Sequence, residues 1–164
     1  MAAALGLLLL AGFLAACAEE PSAEGLAALG ITCTWAEVVS VTDGDTIWVE
    51  IEGEVERLRY VGIDTPEVGD NAEPFGEEAT AANRSLVGAG RVCLEGDVSD
   101  RDRFDRLLRY VWLEDGTLVN EALVREGLAE AVRFPPDTKH HDARLAPAAE
   151  EAREERLGIW SLER

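Results

Sequence analysis

Apolar and polar residues alternate in short runs along much of the chain, which is the pattern of strands with one buried face. Three such runs, at residues 36–41, 46–51 and 55–63, come first, and two further predicted strands follow at 91–96 and 107–113. Asp43-Gly44 separates the first two runs and Glu52-Gly53 the next two. Because Asp-Gly between β-branched runs favours a tight hairpin, the first three runs predict an antiparallel meander.

Three later segments have the apolar spacing of amphipathic helices. The first opens at Glu73 or Pro74 and ends at Val87, the second follows Asp115-Gly116 and ends at Gly127, and the third runs from Asp137 or Thr138 to Leu157. The apolar stripe of the third comprises Leu145, Ala148, Ala149 and Ala152. Three strands, a helix, two strands and two helices predict an α+β fold, a five-stranded OB-fold Greek-key barrel with three packed helices.

The N-terminal segment has the features of an export signal. Residues 1–16 carry no charge and are almost wholly apolar, and the run is too short to span a bilayer comfortably. Its end, Leu-Ala-Ala-Cys17, resembles the lipobox of bacterial lipoproteins. We therefore predict a signal peptide over 1–16, acylation of Cys17, a tether over 17–32, a domain over 33–164 and an extracytoplasmic, membrane-anchored location. An ordinary cleaved signal with an incidental cysteine is the alternative.

The two remaining cysteines, Cys33 and Cys93, form an even pair in a chain that is predicted to leave the cytoplasm. We predict that they form a disulfide. Two separately buried free thiols are the alternative, because sequence alone does not show whether the two Cα atoms lie within reach.

The formal net charge of −18 argues against a surface that binds nucleic acid along its whole extent. Lys139 is the only lysine, and the other basic residues are arginines. A single electropositive cleft that contains a metal ion and arginines can nevertheless dominate locally. The composition therefore excludes a broadly basic nucleic-acid-binding protein and leaves a local site open.

Carboxylates gather at two sharp turns, in Asp43-Gly44-Asp45-Thr46 and in Asp64-Thr65-Pro66-Glu67. Carboxylates, carbonyls and water suit a hard cation such as calcium. Taken singly, each segment is more typical of a structural turn than of a metal site. The pair His140-His141 could suggest a transition metal, but we interpret it as an exposed pair at the start of a helix.

Two arginines accompany these carboxylates, Arg59 on the third predicted strand and Arg106 before the fifth. Guanidinium groups match phosphate oxygens, although surface ion pairs would explain them equally well. Arg59 lies five residues before Asp64, and such odd spacing places two side chains on opposite faces of a regular strand. A bulge near Gly62 would bring both to one site.

Five segments in order resemble the staphylococcal nuclease family: VTDGDTIWV, LRYVGIDTPE, DRFDRLLRYVW, GTLVNEALVREGLA and ERLGIW. The resemblance extends from about Cys33 to Trp160. It implies a nuclease that binds calcium (Ca²⁺) through Asp45, Asp64 and the backbone carbonyl of Thr65. It also implies Glu67 as the general base and Arg59 and Arg106 as phosphate ligands. The implied substrate is DNA or RNA, cut to 3′-phosphonucleotides, and we expect a monomer.

Three positions depart from the family pattern. Asp105 stands where the family usually has glycine, and its carboxylate could pair with Arg106 or point to solvent. The loop after Glu67 is acidic where well-known members carry lysines. The tyrosines that flank the nucleotide in those members fall near Arg133 and Pro135, which leaves Phe134 or Arg133 as the residue that could stack on a base.

A catalytically inactive barrel that serves as a binding module is the competing hypothesis. An acidic surface lipoprotein whose motifs are coincidental is a third. The complete set of five side chains argues against both, because a scaffold has no reason to carry all of them: Asp45, Arg59, Asp64, Glu67 and Arg106.

Overall fold

The computed structural model describes residues 23–162. Its strands are β1 (Thr34–Val41), β2 (Thr46–Ile51), β3 (Glu54–Tyr60), β4 (Ile63–Asp64), β5 (Arg91–Glu95), β6 (Leu107–Trp112) and β7 (Glu130–Ala131). Its α-helices are α1 (Ala23–Ala28), α2 (Gly76–Val87), α3 (Val119–Arg125) and α4 (Ala146–Glu154). Short 3₁₀-helices cover Gly69–Asn71 and Gly158–Leu162, and a π-helix covers His141–Leu145. The predicted signal peptide and Cys17 lie outside the described residues.

Five strands close into a barrel in the order β1-β2-β3-β6-β5, which confirms the predicted fold. The β3–β6 pair is parallel and the other pairs of the barrel are antiparallel. The two-residue strands β4 and β7 pair with each other outside the barrel, and β7 had no counterpart among the predicted strands. Closure leaves the barrel without free edges, so its shape is fixed independently of the loops that carry the site.

The barrel interior and the inner faces of the helices form one hydrophobic core. Ile47, Val49 and Leu58 fill the barrel and are fully buried. The predicted stripe of the last helix is buried as well, which confirms the side on which that helix packs: Leu145, Ala148, Ala149 and Ala152. A core this continuous gives the site a rigid support.

Several boundaries differ from the sequence-based expectations for local backbone reasons. Strand β3 ends at Tyr60 instead of continuing to Ile63, because Gly62 has a φ of 78° and turns the chain. Helix α2 begins at Gly76, since Phe75 before it takes the left-handed conformation. The last helix begins at His141 with a π-turn and ends as an α-helix at Glu154, where the prediction ran from Asp137 to Leu157.

Part of the segment predicted as a tether packs on the domain. Helix α1 lies within it, and Leu26 is buried in the core. The packed chain therefore begins before Cys33. In the structure Cys33 is bonded to Cys93 with their Cα atoms 5.5 Å apart, which ties the segment before β1 to β5. Among the described residues, no helix has the length and apolar character needed to cross a membrane.

Candidate active site

The hairpin between β1 and β2 places the carboxylate of Asp45 inside the protein, where the residue is fully buried. One of its oxygens accepts hydrogen bonds from the backbone N–H of Thr65 at 3.0 Å and from the Thr65 hydroxyl at 3.1 Å. Gly44 permits this approach, since a Cβ there would lie 2.7 Å from the Thr65 hydroxyl oxygen. The two carboxylate-bearing turns that were singled out in the sequence are therefore packed against each other.

Arg59 joins the two carboxylates. Its Nη1 donates to Asp45 Oδ1, and its Nη2 donates to Asp64 Oδ1 and, at 3.2 Å, to the carbonyl of Ile63. The turn at Gly62 makes this possible, because β3 ends before it and Asp64 comes back toward the strand that carries Arg59. The expected bulge near Gly62 is not what the structure has: β3 ends at Tyr60, and Val61 and Gly62 form a turn.

The electrostatic environment of Asp45 opposes its ionisation. Burial raises the pKa of its carboxyl to about 6, and the nearby charge of Asp43 adds to the rise. The Arg59 guanidinium and the hydrogen bonds from Thr65 act in the opposite direction and do not cancel it. A buried carboxylate that lacks sufficient positive charge is suited to accept a further cation.

Glu67 lies on the loop after Asp64, and its side chain is exposed. The loop is closed by two hydrogen bonds: Glu67 N–H donates to Glu73 Oε2 at 3.1 Å, and Glu73 N–H donates to the Glu67 carbonyl at 2.9 Å. Gly76 packs on the same backbone, since a Cβ there would lie 2.4 Å from the Glu67 carbonyl oxygen. The backbone of Glu67 is thus fixed while its carboxylate remains free to meet solvent.

Arg106 is held by Asp102. The Asp102 carboxylate accepts the Arg106 backbone N–H at 3.0 Å and its Nε–H at 2.7 Å, and Nη2 is 2.7 Å away. These contacts fix the direction of the guanidinium. Asp102 was not predicted from sequence, although an Asp four residues before a functional Arg in a charged loop is the pattern that would have indicated it.

A pocket of about 440 Å³ contains both arginines. Its walls include Arg59, Arg106 and two largely exposed phenylalanines, Phe104 and Phe134. Of the two candidates for base stacking, the structure therefore brings Phe134 to the site. Arg133 instead pairs with Asp142 and is not part of this wall. Phe104 was not predicted from the sequence; the Arg106 guanidinium carbon lies over its ring, 5.5 Å from the centroid.

Asp105 does not pair with Arg106. Its side chain is 89% exposed, and it lies 3.7 Å from Arg101. Its backbone has a φ of 64°, a conformation that glycine adopts without strain and Asp tolerates. This backbone requirement gives a physical reason for glycine at this position, and it means that the loop keeps its shape despite the substitution.

Two buried amides hold the turns of the site to the helices. Asn83 of α2 donates to the Asp43 carbonyl at 2.9 Å and accepts from the Tyr60 hydroxyl at 2.8 Å. Asn120 of α3 donates to the Val61 carbonyl at 2.8 Å. Neither residue was singled out in the sequence, where an Asn inside an amphipathic helix has no distinctive signal.

The expectation that His140 and His141 form an exposed pair was wrong. The side chains of His140 and His141 are only 16% and 14% exposed. His140 Nε2 lies 2.7 Å from buried Glu95, which also contacts Lys139 at 2.7 Å and Trp112 at 2.8 Å. Burial alone would raise the pKa of Glu95, but hydrogen bonds from these three partners lower it. Glu95 thus accounts for the inward position of His140, whereas His141 Nδ1 lies 2.8 Å from Asp142.

The oxygen donors at the site fit a hard cation. Within residues 23–162, no three side chains of His, Cys, Asp or Glu gather as a metal site. The position between Asp45 and Asp64 offers two carboxylates, and the cationic group of Arg59 spans them. A guanidinium that bridges two carboxylates occupies the place that a cation with oxygen ligands would take.

Comparison with known proteins agrees with this geometry. A family model described as "Staphylococcal nuclease homologue" matches residues 57–162. The chain is 44% identical over 135 residues to SPbeta prophage-derived endonuclease YokF and 42% identical over 124 residues to Endonuclease YncB, both of Bacillus subtilis (strain 168). These matches cover 76% and 73% of this chain.

The chain matches less than two thirds of the length of those two relatives, 45% of YokF and 58% of YncB. It is also 38% identical over 128 residues to Thermonuclease of Staphylococcus hyicus, and that match covers 76% of this chain and 75% of the relative. The matched family region contains Arg59, Asp64, Glu67 and Arg106. The chain therefore belongs to the staphylococcal nuclease homologue family.

Proposed function

We propose that this protein is a calcium-dependent nuclease that hydrolyses phosphodiester bonds of DNA or RNA. The observation that carries the proposal is that Arg59 and Arg106 line one pocket and that Arg59 also contacts the carboxylates of Asp45 and Asp64. Two guanidinium groups match a phosphate diester, and two carboxylates match a divalent cation. The names of the relatives, two endonucleases and a thermonuclease, support the same reaction class.

The proposed metal ligands are the carboxylates of Asp45 and Asp64 and the backbone carbonyl of Thr65. Support comes from the all-oxygen donor set, from the burial of Asp45 and from the hydrogen bonds with which Thr65 orients it. When bound, a divalent cation supplies positive charge that stabilises negative charge on a phosphoryl oxygen.

The remaining steps belong to the chain's own side chains. Glu67 is the proposed general base, which takes a proton from the attacking water while that oxygen bonds to phosphorus. Arg59 and Arg106 bind the non-bridging oxygens, on which negative charge grows. The bond to the 5′ oxygen breaks, that oxygen takes a proton from solvent to give a 5′ hydroxyl, and the phosphate remains on the 3′ side, which gives 3′-phosphonucleotides. The exposed position of Glu67 on a fixed backbone suits a base that must meet water.

Phe134 is the proposed contact for a nucleobase. It is 61% exposed at the wall of the pocket, and an unpaired base stacks on such a ring. With a formal net charge of −18, the surface outside the pocket repels nucleic acid, so we propose that binding is weak. We also propose that it is salt-sensitive, because it depends on contacts between arginines and phosphates.

The cellular setting is also a proposal. The apolar residues 1–16 and the Leu-Ala-Ala-Cys17 sequence support export and a lipid anchor on Cys17, which would place a monomeric nuclease at the outer side of a membrane. A released form that retains activity is compatible with the same anchor, because the pocket is formed within residues 59–137.

The experiment is degradation of single-stranded DNA and RNA by residues 18–164, with calcium or with EDTA. We expect cleavage with calcium and none with EDTA. Glu67→Ser should lower turnover by roughly a thousandfold, which is the order expected for loss of a general base. Glu77→Ser, at an exposed position on the first turn of α2, is the matched control and should retain the activity.

A folded protein that cleaves neither substrate over a range of salt and pH would contradict the proposal. In that case the barrel is a binding module that has lost catalysis. Cleavage by Glu67→Ser at the unmodified rate would remove Glu67 from its role while leaving the nuclease in place.

A further inference from the structure

Arg59 contacts the same two carboxylates that the proposed function gives to calcium. Its two terminal nitrogens are divided between them, Nη1 on Asp45 and Nη2 on Asp64. A metal ion held by these carboxylates would compete with the guanidinium for Asp45 Oδ1, because Asp45 Oδ2 already accepts two hydrogen bonds from Thr65. The two cations therefore exclude each other at this place.

The structure has space for the Arg59 guanidinium after it separates from the two carboxylates. The pocket of about 440 Å³ that it lines is large enough for a guanidinium, and Arg106 lines the same space. The Arg59 side chain is 20% exposed, so the move does not require a buried group to cross the core. The contact with the Ile63 carbonyl at 3.2 Å is a single neutral hydrogen bond, which water can replace.

Arg106 does not have this freedom. Its guanidinium and its backbone N–H are both bonded to Asp102, and Asp102 belongs to the same loop. Three arginines line the pocket. Arg103 lies over the Phe104 ring, 4.6 Å from its centroid, Arg106 is fixed by Asp102, and Arg59 is held by the carboxylates that a metal would take. Only Arg59 can respond to the metal.

We infer that Arg59 is a displaceable occupant of the metal site: without metal it bridges Asp45 and Asp64, and metal binding releases it into the pocket, where it binds the phosphate. In the metal-free state the guanidinium offsets the negative charge of the two carboxylates and keeps them close together. The release couples the two ligands, because the second phosphate-binding arginine becomes available only after the metal is in place. By thermodynamic linkage, phosphate binding must then raise the affinity of the site for the metal ion by the same factor.

The inference rests on the proposed function for the identity of the metal, and its test is read without any cleavage reaction. The first measurement follows the guanidinium resonances of Arg59 by ¹⁵N NMR in residues 18–164, assigned through Arg59→Gln. In EDTA we expect slowly rotating, protected Nη groups, and at saturating calcium we expect the protection to be lost. Arg59 resonances that do not change at saturating calcium would overturn the inference.

The second measurement is the calcium affinity by calorimetry, without nucleic acid. Arg59→Gln removes the competing guanidinium and should raise the affinity for calcium by roughly tenfold. The reason is that the apparent affinity is reduced in proportion to the fraction of molecules in which the site is free. Arg106→Gln is the matched control, since it removes the same charge from the same pocket without touching the carboxylates. We expect it to change the affinity by no more than about twofold.

Equal tightening by both variants would mean a general charge effect and would overturn the inference. If Arg59→Gln does not fold, Arg59→Lys replaces it, because one ammonium group cannot serve both carboxylates as a guanidinium does. Calcium that binds neither the unmodified protein nor Arg59→Gln would also overturn it. Displacement of Arg59 by calcium in a protein that cuts no nucleic acid would uphold the inference and contradict only the proposed function.

Discussion

Asp102 accepts hydrogen bonds from both the backbone N–H and the Nε–H of Arg106, four residues later in the same loop. The Asp102 carboxylate thus fixes both the backbone of the loop and the orientation of the Arg106 guanidinium. Its pKa is lowered despite the burial that opposes this, because the backbone and side chain of Arg106 bond to the ionised form.

We expect Asp102→Asn to impair catalysis without removing any group that contacts the substrate. The amide keeps the size of the side chain but loses the ionic contact, so Arg106 samples other directions. The expected loss in kcat/KM is roughly tenfold, equivalent to about 1.4 kcal/mol. Arg106→Gln should lose more, and the double variant should lose no more than Arg106→Gln alone. Additive losses would show that Asp102 acts on something other than Arg106.

Asp45 should make the protein less stable at neutral pH than an uncharged residue would. Its pKa is raised by burial to about 6 from an ordinary value of 3.8. Because the native state holds the proton more tightly than the unfolded chain, stability is present at low pH and is lost as pH rises from about 4 to about 6. The loss is on the order of 3 kcal/mol for a shift of this size.

Asp45→Asn removes the loss of stability that accompanies ionisation of the buried carboxyl. In EDTA at pH 8 the variant should unfold at higher urea than the unmodified protein, and near pH 3.5 the two should differ little. Calcium should stabilise only the unmodified protein. A variant that is equally or less stable at pH 8 would show that Arg59 compensates the buried charge fully.

Asp105 combines a glycine-like backbone with an exposed charge, and two substitutions separate these effects. Asp105→Gly should raise the free energy of unfolding by about 1 kcal/mol, because it removes a side chain from the left-handed region. Asp105→Asn should leave stability nearly unchanged, since Asn also tolerates this backbone. Both variants remove the negative charge beside Arg106, so both should bind single-stranded DNA more tightly at low salt. Tighter binding by the glycine variant alone would assign the effect to the backbone.

Phe134 and Arg133 are neighbours in the sequence but have different surroundings in the structure. Phe134→Ala should raise KM for single-stranded DNA by roughly tenfold and spare kcat, since base stacking contributes about 1–3 kcal/mol. Arg133→Ala breaks only the surface pair with Asp142 and should leave KM within about twofold. The reverse ranking of the two variants would place the base against Arg133.

The bond between Cys33 and Cys93 should be a main source of stability. It links positions 60 residues apart in the sequence, and the chain-entropy model gives about 4 kcal/mol for such a loop. The Cys33→Ser/Cys93→Ser double variant should therefore unfold at clearly lower urea while remaining folded in water. The disulfide can also be checked by counting free thiols in residues 18–164 after unfolding without reductant. Two titratable thiols would show that the disulfide is absent.

The sequence by itself determined the barrel, and it supplied the residues that are proposed for the site. Alternation with period two indicated the one-sided burial of the first three barrel strands, and Asp43-Gly44 indicated the first hairpin, because these features depend on residues close together in the chain. Alternation did not determine β5, in which residues 92–95 are all buried. The five motifs in order identified the family, and the odd spacing of Arg59 and Asp64 predicted an interruption near Gly62. Each of these features could be predicted from residues that are close together in the sequence.

Only the tertiary structure decided how the side chains are paired. The choice of Asp102 over Asp105 as the partner of Arg106 depends on a positive φ that no residue pattern specifies. The choice of Phe134 over Arg133 for the pocket depends on how the segment after β7 packs beside β3. The inward position of His140 depends on Glu95, 45 residues earlier in the chain. Such pairings are set by contacts between distant segments, and those contacts exist only once the barrel has closed.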